Sequence, residues 1–271
     1  ISSTWNEDDR MTAYLKHKAV GDIITRPKFE SEDGAHQIGT LSFSPGSLAA
    51  TCVVVGSDAT AAELAYAAIL EAAGYPVWVC DGTADQVQIL LAITAAAGGV
   101  VALIGRTFTC ASFTITGAIV KGQGAAVTKI VLSTDTSTIT VDLDGGGNLQ
   151  DVRVETAVTH TTKAIIAESL GIAYNRLGLL SGLVISDGSG GGGHAAGSGG
   201  VRIRAITTAG SGAAIQYCGF WPGGIIIHGF ETAFDIYTDE SAGNNAYVNL
   251  NHFGPMGLWE AVYMFTLNPQ L

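Results

Sequence analysis

Four carboxylates gather late in the chain: Glu231, Asp235, Asp239 and Glu240. Glycoside hydrolysis needs two facing carboxyl groups, one acid and one nucleophile or base. Asp235 and Asp239, four residues apart in a loop–strand segment, are the candidate pair. A solvated acidic loop is the competing reading, and it leaves the catalytic set at none. Uronate-lyase chemistry needs a cation beside the substrate carboxylate and a base for the ring proton. After Arg204 the chain carries no Lys or Arg through Leu271, and a face of four carboxylates repels an anionic polymer. Calcium ligands show no regular spacing, so no metal and no cofactor is expected. His160, His194, His228 and His252 are scattered, without a nucleophile elbow. Trp221, Tyr237 and Trp259, with Phe220 and Tyr247, are candidates for stacking on sugars. Core packing or subunit contact is the alternative for each.

The scaffold that must hold these residues is apolar and glycine-rich. Among 271 residues, 13 Lys+Arg oppose 24 Asp+Glu, a net charge of −11, with 47% hydrophobic, 14% charged and 36 glycines. Disordered chains are charge-rich and apolar-poor, so disorder is excluded. Collagen is excluded by the lack of a three-residue glycine period. The negative charge argues against sequence-independent nucleic-acid binding. No run reaches the roughly 20 apolar residues of a spanning helix, so no membrane insertion is expected, and the first residues do not read as a leader. Cys52, Cys80, Cys110 and Cys218 lack metal-ligand spacing and read best as buried free thiols.

Composition divides the chain into three. Residues 1–48 carry much of the charge and read as an N-terminal arm or attachment segment. Residues 49–80 read as a small β-α-β unit. Cys52 to Val55 is an apolar strand, and Thr60 with Glu63 has capping-box spacing. Ala61 to Ala73 is a strong helix former, closed by Gly74 and Pro76, and Val77 to Cys80 returns as a strand. Residues 81–271 are the third part. Thr83 or Asp85 offers an N-cap to a helix running to Ala97, which Gly98-Gly99 stops.

From Val100 onward short β-rich bursts recur, roughly ten to fifteen residues apart, in residues 100–104, 113–120, 128–132, 138–143, 152–155 and 164–167. Further bursts fall in 183–185, 201–206, 225–227, 246–250 and 261–265. Turn-forming residues fill the gaps. A sandwich, a barrel and a solenoid share this signature. Hairpin signals are few: Asp144-Gly145 is blunted by Gly146-Gly147, and Asp187-Gly188 opens a glycine-rich run through Gly200 that reads as a loop. Helix first and strand bursts after is the order of a capped parallel β-helix.

The segment Val79-Cys80-Asp81-Gly82-Thr83-Ala84-Asp85, Val87-Gln88-Ile89 and Gly98-Gly99-Val100-Val101 resembles the opening of pectate-lyase-like right-handed β-helix proteins. Gly105-Arg106-Thr107-Phe108, Ile115, Ile119, Gly122-Gln123-Gly124 and Thr128-Lys129-Ile130 continue that likeness. It covers residues 78–132 well and later bursts in style. The nearest styles are phage tail-fibre and tailspike proteins and microbial surface proteins. One departure is Ile104-Gly105-Arg106, where many members carry an aromatic or proline. The Gly-x-Gly segment turns the chain in that family; without a third glycine or following helix it is no nucleotide loop.

The resemblance implies a mainly β fold, a right-handed parallel β-helix with an N-terminal capping helix, preceded by the small α/β unit. It implies fold and not activity. The expected role is a structural or adhesive component of a phage tail or other extracellular assembly, the β-helix acting as shaft or receptor-binding face. Such a protein is a virion or cell-surface component and a homo-oligomer, a trimer by the family's habit. It contacts other assembly proteins and cell-surface polysaccharide. The alternatives are a polysaccharide-degrading β-helix enzyme, a tailspike depolymerase or glycoside hydrolase, and a cellular surface-layer or filament subunit. No C-terminal cap follows the last burst, so a longer product is expected.

Overall fold

The chain divides into two units, residues 1–49 and 50–271. The computed structural model describes residues 50–188, 195–242, 244–249, 251–259 and 263–270, by backbone alone from 259 onward. The expected arm, 1–48, lies outside the described residues, as does His194.

Strand Ala50–Val55 (β1), helix Ala61–Ala72 (α1) and strand Val77–Val79 (β2) form a parallel β-α-β unit, with Val53 opposite Val77. The capping box forms: the Thr60 hydroxyl accepts from the Glu63 N–H, and the Glu63 carboxylate accepts from the Thr60 N–H at 2.7 Å. Both faces of β1 are covered, as parallel strands require. Val53 and Val55 pack with Ala67 and Leu70 of α1, whereas Cys52 and Val54 point into the main core.

Helix Gln86–Ala96 (α2) ends at Ala97 and Gly98, both at positive φ, the left-handed stop expected of the glycine pair. Asp85 occupies the N-cap position, one of the two residues offered for it, but without the capping bond. Its carboxylate accepts from the N–H groups of Gly82 and Thr109 instead. That buried side chain ties the helix start to a strand 24 residues on.

The remaining strands recur in successive sets, or rounds, whose members join several parallel sheets. The first is Val100–Ile104 (β3), Thr107–Cys110 (β4) and Phe113–Ile115 (β5). Ile119–Lys121 (β6), Lys129–Leu132 (β7) and Ile139–Asp142 (β8) follow, then Asn148–Gln150 (β9), Arg153–Thr156 (β10) and Lys163–Ser169 (β11). The fourth is Ile172–Tyr174 (β12), Leu183–Ser186 (β13) and Gly199–Ile206 (β14). Next come Ala213–Gln216 (β15), Gly219–Phe220 (β16), Ile225–His228 (β17) and Thr232–Asp239 (β18). The last described is Ala246–Asn249 (β19), His252–Phe253 (β20), Met256–Trp259 (β21) and Tyr263–Gln270 (β22).

Corresponding strands pair in parallel. Sheet A runs β2-β1-β3-β6-β9, sheet B runs β4-β7-β10-β13-β17-β21, and sheet C runs β5-β8-β11-β14-β18-β22. Sheet D is β12-β15-β19 and sheet E is β16-β20. The protein is thus mainly β with parallel sheets, an arrangement compatible with a β-helix. The β-α-β unit is the start of sheet A, since β1 hydrogen-bonds β3. Helix α2 packs on β1 and β3 and on β4 and β5, the leading edge strands of sheets B and C. The burst expected over 113–120 is two strands, β5 and β6, in different sheets; Gly117 at φ +67° bends the chain between them.

Inward side chains stack in columns across the rounds. Phe108, Ile130, Val154, Ile185 and Ile227 form one along sheet B, and Phe113, Ile139, Ile165, Val201 and Phe234 another along sheet C. Burying each such side chain stabilises by about 1.5–3 kcal/mol. At Gly122 an added Cβ would meet the Asp151 carbonyl oxygen at 2.5 Å. The Gly122-Gln123-Gly124 segment is therefore a turn pressed against the next round. All four cysteines are free and buried.

Candidate functional site

Two of the late carboxylates, Asp235 and Asp239, fall on the outward side of sheet C, and Glu231 and Glu240 flank their strand. Register sets Arg202 beside Asp235, and Glu168 beside Arg204 and then Tyr237. Asp235 is only 1% exposed. Arg202 grips it in two-pronged fashion, with Nη2 donating to Oδ2 at 2.7 Å and Nε to Oδ1 at 3.0 Å. The same guanidinium lies 4.9 Å from the centre of the Tyr237 ring, a cation–π contact. Arg204 pairs with Glu168 through a single contact, Nη2 to Oε2, and its buried Nε has no hydrogen-bond partner.

Asp239 stands on the same strand as Asp235, four residues on. At about 3.3 Å per residue their Cα atoms are roughly 13 Å apart, whereas hydrolase carboxyl pairs are about 5–9.5 Å apart. The N–H and hydroxyl of Ser241 hold the Asp239 carboxyl below its usual range, which keeps it ionised and unsuited to the acid's role. Glu231 and Glu240 accept from the N–H groups of Gly197 and Ala246.

This pattern extends through the molecule. Asp58 accepts from the N–H groups of Arg106 and Thr107, and Asp144 from those of Leu170 and Gly171. Asp187 accepts from Thr156 and from the His160 N–H. Glu155 bridges Lys129 and Arg153, and Lys121 pairs with Asp151. Most of these partners lie one round away, so the carboxylates tie neighbouring rounds together. Lys163 does likewise as a cation: its buried Nζ donates to the carbonyls of Gly197 and Ser198, and burial depresses its pKa.

The stacking candidates part company. Trp221, a stacking candidate with core packing as its alternative, is fully buried and at φ +60°. Its ring meets Phe234 edge-on at 5.0 Å and also packs on Phe220 and Phe253. It fills the core where β16 gives way to β17. Tyr237 is partly exposed but committed to Arg202. The backbone of Trp259 pairs with His228 in sheet B; its side chain lies outside the described residues.

The histidines stay apart. His160 is wholly buried, edge-on to Phe230, with both ring nitrogens lacking a partner, and burial lowers its pKa. His228 sits outward on sheet B beside Ser186, whose buried hydroxyl has no partner. Alongside, Val184, Ile226, Met256 and three glycines of neighbouring turns line an uncharged groove of about 490 Å³. Among the described residues no His, Cys, Asp and Glu side chains cluster to hold a metal ion, and no helix is long and apolar enough to cross a membrane.

Tyr247, a stacking candidate, belongs to a surface whose other members the sequence did not disclose. Ile172, Tyr174, Leu177, Tyr217 and Tyr247 are exposed on or beside sheet D. Short strands between Gly171 and Asn175 gave little signal there. Comparison with protein-family models, with curated proteins and with solved structures finds no match in any of the three.

Proposed function

We propose that residues 79–271 form a right-handed parallel β-helix capped by α2, and that the protein is a structural or adhesive component of a phage tail or similar extracellular assembly. The three recurring sheets and the position of α2 on their leading edges support the fold. Its hand is supported by the rule that parallel crossovers are right-handed in about 98% of cases.

The observation that carries the structural role is the use made of the carboxylates. Asp58, Asp85, Asp144, Asp187, Glu168 and Asp235 each bind a main-chain N–H or a cation on another round. A hydrolase pair must be free to face a substrate; these act as splints along a shaft. The uncharged groove on sheet B suits contact between copies in a homo-oligomer, where apolar cores are common. Trimeric assembly at a virion or cell surface follows from the resemblance to tail proteins.

The rival is a polysaccharide-degrading enzyme. Incubating the full chain with neutral and uronate polysaccharides and titrating new reducing ends separates the two. The structural reading expects none; turnover that is lost in Asp239→Asn or Glu231→Gln would establish the enzyme instead.

A further inference from the structure

On the outward side of sheet D, register aligns Ile172, Ala214 and Tyr247 across three strands. Neighbouring strands are about 4.8 Å apart, so Ile172 and Tyr247 stand roughly 9.6 Å apart. Ile172 is 68% exposed and Tyr247 40%, whereas the small Ala214 between them is buried. The result is a slot with an aliphatic wall, an aromatic wall and a flat floor. Its volume is about 340 Å³, at the lower end of small-molecule sites, which span about 300–1,000 Å³.

The rim is polar but uncharged. Ser211, Asn244 and Asn245 line one end. In the adjoining row, the Gln216 side-chain amide donates to Asn249 Oδ1 at 2.9 Å, and Asn249 is exposed. Tyr174, two residues along from Ile172, meets Tyr217 edge-on at 5.3 Å and makes a second aromatic platform. The neighbouring carboxylates Asp144 and Glu240 are spent on main-chain N–H groups.

We propose that this slot binds a neutral saccharide chain. Sugar rings offer apolar C–H faces for Tyr247 and Ile172, and hydroxyls for the amides and Ser211. An apolar side chain from a second copy would strand those polar groups, which costs free energy on burial. No Lys or Arg lines the slot, and an acidic glycan meets a chain of net charge −11. The inference rests on the adhesive reading, for which it names the ligand class.

The test applies the full chain to an array of neutral hexose and N-acetylhexosamine oligosaccharides and of uronate and sialylated ones. Retention of neutral glycans is expected, falling at least tenfold in Tyr247→Ala and in Ala214→Leu, which fills the slot. Circular dichroism and urea midpoints confirm that each variant is folded, and Tyr247→Ala removes only an exposed ring. Retention of acidic glycans alone, no retention, or retention unchanged in both variants overturns the proposal. So does self-association that Tyr247→Ala abolishes in the absence of glycan. Neutral-glycan binding by a monomer would keep the slot and remove the oligomeric assembly, so the two failures are distinguishable.

Discussion

Arg202 and Asp235, 33 residues apart in sequence, close a two-pronged ion pair across adjacent strands, and the carboxylate is almost wholly buried. Taking one partner away strands a buried charge, whereas replacing both does not. Arg202→Met is therefore expected to cost about 3 kcal/mol. Arg202→Met combined with Asp235→Leu should cost clearly less. Urea unfolding of the variants checks the order; a single variant as stable as the parent would contradict it.

Trp221 carries a different load. Its ring is enclosed by Phe220, Phe234 and Phe253, and truncating such a side chain leaves a cavity. Trp221→Ala should lose about 3–5 kcal/mol of stability. If Trp221 instead served ligand binding, the variant would keep its thermal midpoint and lose only glycan retention.

His160 makes stability depend on pH. Burial, working against the nearby Asp187 charge, holds the imidazole below its ordinary pKa of 6.5. The folded state thus binds fewer protons at this site than the unfolded one, and acid favours unfolding. The contribution is intact above about 6.5 and shrinks as pH falls below it. The urea midpoint should drop between pH 7.5 and 5.5, and drop less in His160→Leu. An equal drop in both proteins would assign the effect to other groups.

What the sequence disclosed was local. Thr60 and Glu63 sit three apart, so their capping box was legible, and so was the left-handed stop at Gly98. The N-cap position of Asp85 was legible, but its carboxylate's partner was not, because Thr109 is brought to it only by the fold. The pairing of Arg202 with Asp235 depends on the register of β14 against β18, which no short window encodes. Trp221 was ambiguous for another reason: it occupies a turn at positive φ, where strand alternation no longer tells inside from outside. The sheet D slot needs a small residue flanked by two large ones on separate strands. Tyr247 was legible as a stacking candidate, but Ile172 and Ala214, 75 and 33 positions before it, disclose nothing until the three are aligned.

The proposal that this chain works as part of an assembly is tested most directly by multi-angle light scattering of the full 271-residue chain. A stable trimer, unchanged on dilution and across salt concentrations, is the expected result. A monomer at every concentration would contradict the assembly role and return attention to polysaccharide cleavage.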